Sequence, residues 1–174
     1  MIADMVKGKQ IEQFTERIQR GIHIHRKIDA FTDSHPVNQK ALEYFRSSAG
    51  KYASPFLDVA YDHFLALDQL SIPEKGWHNF TEACYIQIGE YAEILPTRFC
   101  SMFVYMRSED WLYNYRYQWL IKRSFNRLKQ RASYLDNNAP VFEEFKKNYK
   151  EIGESYKVFF PELKMYVKDI LCKS

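Results

Sequence analysis

The amino-acid sequence predicts an all-α protein, a single compact helical domain. Apolar residues recur at spacings of three and four, as in Ile11, Phe14, Ile18 and Ile22, and no run alternates with a period of two. Prolines 36, 73, 96, 140 and 161 fall between these periodic segments, where each would end one helix or begin the next. The length of 174 residues and the 46% hydrophobic content suit one globular core and exclude a disordered chain.

The periodic segments predict eight helices along the chain. In order, they cover residues 9–20, 22–33, 37–48, 55–69, 77–93, 97–106, 109–131 and 140–171. Ser54-Pro55 supplies an N-cap followed by a proline at the first helical position. The last helix is expected to break near Phe160-Pro161, because an interior proline removes a helical hydrogen bond. The alternating aromatic residues from Trp111 to Trp119 do not fit a straight helix, so they are expected to straddle a bend or line a groove.

Composition narrows the class of protein. The formal net charge of +3 does not indicate a nucleic-acid-binding protein, so no nucleic-acid partner is expected. The three cysteines are too scattered for a zinc site, and their odd number argues against a secreted disulfide scaffold. No stretch approaches the ~18 apolar residues of a membrane span. A cytoplasmic protein with no membrane partner is expected.

The first chemistry-bearing segment is GIHIHRKIDAFTDSHP, residues 21–36. His25 and Asp29 are four residues apart, which places them one turn apart on the same face of a helix. An imidazole and a carboxylate in this arrangement can bind one divalent cation together, or they can hydrogen-bond to each other. Both alternatives are open at this point. Arg26 is adjacent and suits a phosphate group, because its planar guanidinium matches phosphate oxygens.

The second such segment is SPFLDVAYDHFLALDQL, residues 54–70. Asp58 and Asp62 are again four apart, and Asp62 is followed directly by His63. A cation held between this helix and the helix of His25 would explain why acids occupy segments that otherwise face the core. The alternative is that Asp58, Asp62 and Asp68 line a solvated helix face.

A third feature is an excess of basic residues between Trp111 and Asn138, where the only acid is Asp136. Four of these basic residues are the candidates for a binding surface: Arg116, Lys122, Arg123 and Arg127. Such a surface attracts an acidic protein, a phosphate-bearing ligand or RNA. The alternative is an ordinary solvated side of a helix.

Four blocks together resemble the bacterial acyl carrier protein phosphodiesterase family: ADMVKGK, GIHIHRKIDAFTDSHP, LDVAYDHFL and SEDWLYNYR. The resemblance implies an HD-domain-like bundle and a hydrolase, dependent on Mn or Mg, that removes 4′-phosphopantetheine from holo acyl carrier protein. By motif match it implies a catalytic acid at Asp4, with Arg26 and Asp29 completing the candidate catalytic residues. The metal set that it implies is His25, Asp29, Asp62 and His63. The four basic residues named above are then expected to meet the acidic helices of the carrier protein.

One departure from the family concerns the start of the chain. Family members carry a short segment before ADMVKGK, with a FLAH-like stretch that contributes a histidine, whereas Met1 here falls within the matching block. Residues 1–174 are therefore expected to form one domain that lacks this segment. The metal site would be incomplete if that histidine is a ligand, and exposed apolar surface would favour a homodimer. Two alternative functions stay open: an HD-type nucleotide phosphohydrolase, and a non-catalytic helical module that binds an acidic protein or RNA.

Overall fold

The computed structural model describes residue 3 and residues 5–173, and this part of the protein is all-helical. It contains ten α-helices and four short 3-10 turns, with no strand among the described residues. The predicted all-α single domain is confirmed. None of the described helices is long and apolar enough to cross a membrane. All three cysteines have free thiols.

The helices follow one another closely along the chain. In order from α1 to α10 they are Glu16–Ser34, Pro36–Ala41, Glu43–Ala49, Ala53–Leu67, Gly76–Gly89, Thr97–Ser108, Trp111–Asn114, Gln118–Arg131, Val141–Lys147 and Tyr149–Cys172. The 3-10 turns are Gly8–Gln13, Gly50–Tyr52, Gln69–Ser71 and Ala92–Ile94.

The main core lies where α3, α4, α8, α9 and α10 pack together. Four fully buried phenylalanines form its centre: Phe45, Phe56, Phe125 and Phe145. Phe125 meets the rings of Phe45 and Phe56 edge-on, with centroid distances of 6.0 and 5.1 Å. Aromatic rings favour this arrangement because a positive ring edge then faces a negative ring face. The packing of α4 against both α8 and α10 fixes the helix that carries Asp58 and Asp62.

Helix α1, which carries His25, packs against α2 and α10. The ring of Phe31 stacks on that of Tyr166 at a centroid distance of 4.4 Å. Asn38 of α2 links α1 to α4, because its Nδ2 donates to the carbonyl of Thr32 at 2.8 Å and its Oδ1 accepts from the Tyr61 hydroxyl at 3.0 Å. The two helices that carry the His/Asp segments therefore share fixed neighbours in α2 and α10.

Several helix boundaries differ from the sequence prediction. The helix predicted over 37–48 is divided at Leu42 into α2 and α3. Residues 16–34 form one helix, α1, where a break was predicted at Gly21. The break predicted at Phe160-Pro161 is also wrong, because α10 continues through Pro161. Pro161 is exposed, so water can bond the backbone carbonyl that loses its helical donor. The segment 140–171 is interrupted instead at Asn148, between α9 and α10.

The aromatic segment from Trp111 to Trp119 contains a bend, one of the two alternatives that its sequence left open, and this bend interrupts the single helix predicted over 109–131. Helix α7 ends at Asn114 and α8 begins at Gln118, so the residues between them turn the chain. A second, smaller core beside this bend joins α5 to α6 through Tyr85, Phe99, Phe103 and Met106. The Tyr85 hydroxyl accepts a hydrogen bond from the backbone nitrogen of Leu112 at 2.9 Å, which anchors α7 to this smaller core.

Candidate active site

The carboxylate of Asp62 lies on α4, one turn after Asp58. Its side chain is accessible to water, yet the surrounding protein raises the pKa of the carboxyl to about 7. Loss of hydration is the first cause and the negative charge of Asp58 is the second. Among the described residues, Asp62 has no hydrogen-bond or ion-pair partner.

The bend between α7 and α8 forms one side of this environment. Burial raises the pKa of the Tyr115 hydroxyl, and the charge of Asp62 raises it further. Tyr115 lies between the end of α7 and the start of α8. Asp62 therefore faces the segment that sequence periodicity identified as irregular.

His63 is buried in the core beside Asp62, and both of its ring nitrogens are hydrogen-bonded. Nδ1 lies 2.7 Å from the carbonyl oxygen of Tyr115, so it carries the proton and donates. Nε2 then accepts from the Tyr149 hydroxyl at 2.8 Å. Burial lowers the pKa of the imidazole, which favours this neutral form. In this arrangement His63 ties α4 to the α7–α8 bend and to α10, and neither nitrogen is open to a metal ion.

On α1, His25 and Asp29 bond to each other. His25 Nδ1 lies 2.8 Å from Asp29 Oδ2, and both side chains are partly exposed. The structure shows the hydrogen bond between them, and the binding of a cation by the same pair stays a prediction. A carboxylate on one imidazole nitrogen fixes the ring orientation and its tautomer, which is a common support for histidines that bind metals or transfer protons.

The N-terminal segment lies against the same turn of α1. Arg26 Nη2 donates to the carbonyl oxygen of Val6 at 2.8 Å, which fixes one edge of the guanidinium. Asp4, the predicted catalytic acid, lies outside the described residues. The Arg26 contact places Val6 at the turn of α1 that carries His25.

The predicted metal set of His25, Asp29, Asp62 and His63 is divided between different environments. Within the described part of the chain, no three His, Cys, Asp or Glu side chains converge as a metal group. Asp58 and Asp62 lie one turn apart on α4, and the charge of Asp58 contributes to the raised Asp62 pKa. A divalent ion beside Asp62 would oppose that effect.

The predicted docking surface on α8 is partly neutralised from within the protein. Glu109 pairs with Arg123 at 2.7 Å and with Arg127 at 3.4 Å. The indole nitrogen of Trp111 donates to the same carboxylate at 2.7 Å, and the Arg127 guanidinium lies 4.6 Å from the centre of the Trp111 ring. The Trp111 hydrogen bond first, and then the two arginines, hold the pKa of Glu109 below its usual range. This cluster braces α7 against α8.

The other two predicted docking residues have no carboxylate partner among the described residues. The guanidinium of Arg116 stacks over the ring of Tyr113 at 4.1 Å, and its Nε donates to the Tyr113 carbonyl at 3.1 Å. Lys122 is exposed and lies 5.9 Å from the centre of the Phe142 ring. Only two of these four cations share a carboxylate, so this side of the protein keeps a positive charge.

Sequence reasoning missed three residues that organise these sites. Glu109 lies just before the segment in which acids were counted, so its role as a partner of α8 was overlooked. Tyr115 and Tyr149 hold His63 from positions 52 and 86 residues away. Helical spacing reports neighbours on one helix and carries no signal for partners so distant in sequence.

Comparisons with known proteins agree with the resemblance in the sequence. A sequence model of the family described as acyl carrier protein phosphodiesterase matches residues 1–163. A protein of that name from Enterobacter sp. (strain 638) is 30% identical over 171 residues, which cover 97% of this chain and 88% of the relative. Relatives of the same name from Shigella boydii serotype 4 and Escherichia coli O45:K1 are each 33% identical over 167 residues, covering 94% of this chain and 85% of each relative. No solved structure matches the chain, so the HD-domain-like arrangement stays a prediction.

Proposed function

The chain belongs to the acyl carrier protein phosphodiesterase family, and we propose that its active site is built on the α4 carboxylates Asp58 and Asp62. The reaction converts holo acyl carrier protein to the apo form. Family membership favours this reaction over the nucleotide phosphohydrolase and the binding module that the residues alone left open. The observation that carries the site assignment is the raised pKa of a solvent-accessible carboxyl, Asp62.

The proposed role of Asp62 is that of a general base. Conversion to the apo form breaks the phosphorus–oxygen bond to the carrier protein, and a water oxygen forms the new bond to phosphorus. In the metal-free protein the raised pKa, about 7, makes Asp62 a stronger base than an ordinary aspartate. A divalent ion bound there would lower that pKa, and it would also lower the pKa of the attacking water, so that Asp62 could still accept the water proton. The departing alkoxide must also receive a proton. Where protein replaces part of the bulk water around this carboxyl, its electrostatic interactions with the phosphodiester are stronger.

The proposed site also includes the α1 residues His25, Asp29 and Arg26. The hydrogen bond from Nδ1 to Asp29 orients the His25 ring, and such a ring can deliver a proton to a leaving group. Arg26 keeps further guanidinium donors beyond its bond to Val6, and these suit the oxygens of a phosphodiester. Asp4 is proposed as an additional acid on the segment that Arg26 holds.

A divalent ion, Mn or Mg, is proposed at Asp62 with Asp58 beside it. When bound, such an ion polarises a phosphoryl oxygen and makes a nearby water more acidic. Asp62 is the first choice of ligand because it is accessible and has no partner among the described residues. His63 is proposed as a residue that positions Asp62, since its nitrogens are bonded to Tyr115 and Tyr149.

Removal of the Asp62 charge is expected to weaken metal binding. Calorimetric titration of chelator-treated protein with Mn²⁺ should show binding that falls about tenfold or more in Asp62→Asn. Asp169→Asn, which removes an exposed aspartate on α10, is the matched control and should bind as wild type does. Equal affinity in wild type and Asp62→Asn, or no Mn²⁺ binding by wild type, would remove the ion from the proposal.

The basic side of α8 is proposed to guide the carrier protein. Lys122 is the best residue for a test, because it is exposed and its reversal breaks no ion pair. Lys122→Glu is expected to raise KM for holo carrier protein about two- to fivefold at low salt, with little effect on kcat and a smaller effect at high salt.

The control for this surface is Lys40→Glu, which reverses an exposed lysine on α2. Its KM should stay at the wild-type value at both salt concentrations. If both variants raise KM equally, net charge rather than the α8 surface governs encounter. If Lys122→Glu has a wild-type KM at low salt, the carrier protein docks elsewhere.

A further inference from the structure

A cavity of about 730 Å³ opens between the end of α4, the turn Gln69–Ser71 and the middle of α10. This volume lies within the range of small-molecule binding sites. Its walls are largely apolar and are formed mainly by Phe64, Leu67, Leu70, Tyr156, Phe160 and Met165. Leu70 and Met165 are 93% and 70% exposed, so apolar surface at the mouth is left open to water. Covering this surface with an apolar ligand would be favourable.

Gly153 gives the cavity part of its depth. A Cβ atom at this position of α10 would lie 2.9 Å from Cε1 of Phe64, which is too close without a movement of the ring. The absence of a side chain therefore lets Phe64 lie directly on the backbone of α10. A larger residue would push the Phe64 ring away from α10.

The polar groups inside the cavity already satisfy one another. The Asp68 carboxylate accepts hydrogen bonds from the Ser71 hydroxyl at 2.8 Å, the Tyr156 hydroxyl at 3.1 Å and the backbone nitrogen of Leu70 at 2.9 Å. A ligand that enters therefore meets no polar group that demands a partner. An apolar chain is the matching chemistry.

Two lysines add positive charge to the lining. Lys157 pairs with Glu154 at 2.8 Å, outside the cavity. Lys164 is exposed and has no ion-pair contact with a carboxylate among the described residues, although it lies near enough to Asp68 to lower that pKa. Its ammonium group lies 5.7 Å from the centre of the Phe160 ring, at the edge of the apolar wall. This combination suits a ligand with one negative end and a long apolar body.

The cavity is separate from the proposed hydrolytic site. On an α-helix each residue advances by about 100°, so the cavity residues Phe64 and Leu67 of α4 point away from the face that carries Asp62. The phosphodiester at Asp62 and a ligand in the cavity would occupy opposite sides of the same helix. The cavity therefore needs a ligand of its own.

We propose that this cavity binds a long-chain fatty acid, with its hydrocarbon chain along Phe64, Leu67 and Phe160 and its carboxylate at Lys164. A free carboxylate is the occupant that the charge favours. A chain in thioester linkage has no charge at that end, so it would leave Lys164 without a ligand group.

Competition with a dansyl-labelled fatty acid tests the proposal directly, without any measurement of hydrolysis. Palmitate is expected to displace the probe from one site per chain, and uncharged methyl palmitate to do so less well. Lys164→Gln should weaken the binding of palmitate about two- to fivefold, the range of an exposed ion pair, and leave the binding of methyl palmitate unchanged. Leu67→Glu should weaken both about tenfold or more, because it places a charge in the apolar wall.

Two further variants keep this test independent of folding. Met165→Glu changes a highly exposed side chain at the cavity mouth and should also lose affinity, whereas Val158→Glu changes an exposed apolar residue of α10 outside the cavity and should bind as wild type does. Wild-type affinity in both Leu67→Glu and Met165→Glu, or no saturable palmitate binding, overturns the proposal. Equal displacement by palmitate and its methyl ester, with no effect of Lys164→Gln, would make an uncharged chain the occupant. If gel filtration shows a dimer whose interface covers the cavity, the occupant of the cavity is a second copy of this chain.

Discussion

Replacing Asp62 with asparagine is expected to lower the turnover of holo acyl carrier protein by about 10²–10⁴-fold, the range for loss of a general acid or base. Asparagine has nearly the same shape as aspartate but cannot accept the proton of the attacking water. It is also a weaker ligand for a divalent cation. The measurement is the mass of the carrier protein after incubation with enzyme and Mn²⁺, because loss of the prosthetic group changes that mass.

The matched control for this loss is Asp169→Asn, which should retain wild-type turnover. Asp58→Asn offers a graded comparison, because it removes the second cause of the raised Asp62 pKa while leaving Asp62 in place. That variant should shift the acidic limb of the pH–rate profile to lower pH. Wild-type turnover in Asp62→Asn would exclude Asp62 from the mechanism.

Asp62→Asn should be at least as stable as wild type at neutral pH, so its loss of activity would not reflect unfolding. The folded-state pKa of Asp62 is about 7, above the ordinary 3.8, so folding disfavours the ionised form. Wild type therefore loses stability as pH rises from about 4 to about 7, and Asp62→Asn does not. Denaturant unfolding of chelator-treated protein should give Asp62→Asn a higher free energy of unfolding than wild type above pH 7. Near pH 4 the two values should be equal.

Local features of this fold could be predicted from the sequence because helical periodicity is a local signal. The apolar spacing around Phe56 and Ala60 identifies the buried face of α4, and both residues are buried there. The aromatic run from Trp111 indicated either a bend or a groove, and the chain bends there between α7 and α8. Two proline signals failed. Ser54-Pro55 was predicted to start α4, which begins earlier, at Ala53. Pro161 does not end α10, because proline at an exposed helix position leaves only a carbonyl that water can satisfy.

The site was less predictable, because spacing shows which residues share a helix face but not what that face meets. Asp62 and His63 are adjacent in sequence, yet Asp62 is accessible to water and His63 lies in the core. Their difference is set by Tyr115 and Tyr149, which approach from distant parts of the chain. In the same way, Glu109 turns two arginines of the expected docking surface into a brace between α7 and α8.

For His63, a role in holding the fold together and a role in binding metal can be separated by experiment. His63→Leu is expected to lower the free energy of unfolding by about 2–4 kcal/mol, because it leaves the Tyr115 carbonyl and the Tyr149 hydroxyl without their shared partner. Tyr149→Phe removes only one of the two hydrogen bonds and should cost about 1 kcal/mol. Urea unfolding followed by circular dichroism measures both values.

The Mn²⁺ affinity of the folded His63→Leu protein decides how that loss is interpreted. If His63 acts on the metal only by positioning Asp62, His63→Leu should lower the Mn²⁺ affinity. Tyr149→Phe, which loosens the His63 ring, should then lower the Mn²⁺ affinity as well, but by less. A metal ligand would give a different pattern: a large fall in Mn²⁺ affinity in His63→Leu, wild-type affinity in Tyr149→Phe and little change in the stability of the metal-free protein. That pattern would require the His63 ring to leave both tyrosines, and it would return the α4 histidine to the metal set that the sequence predicted.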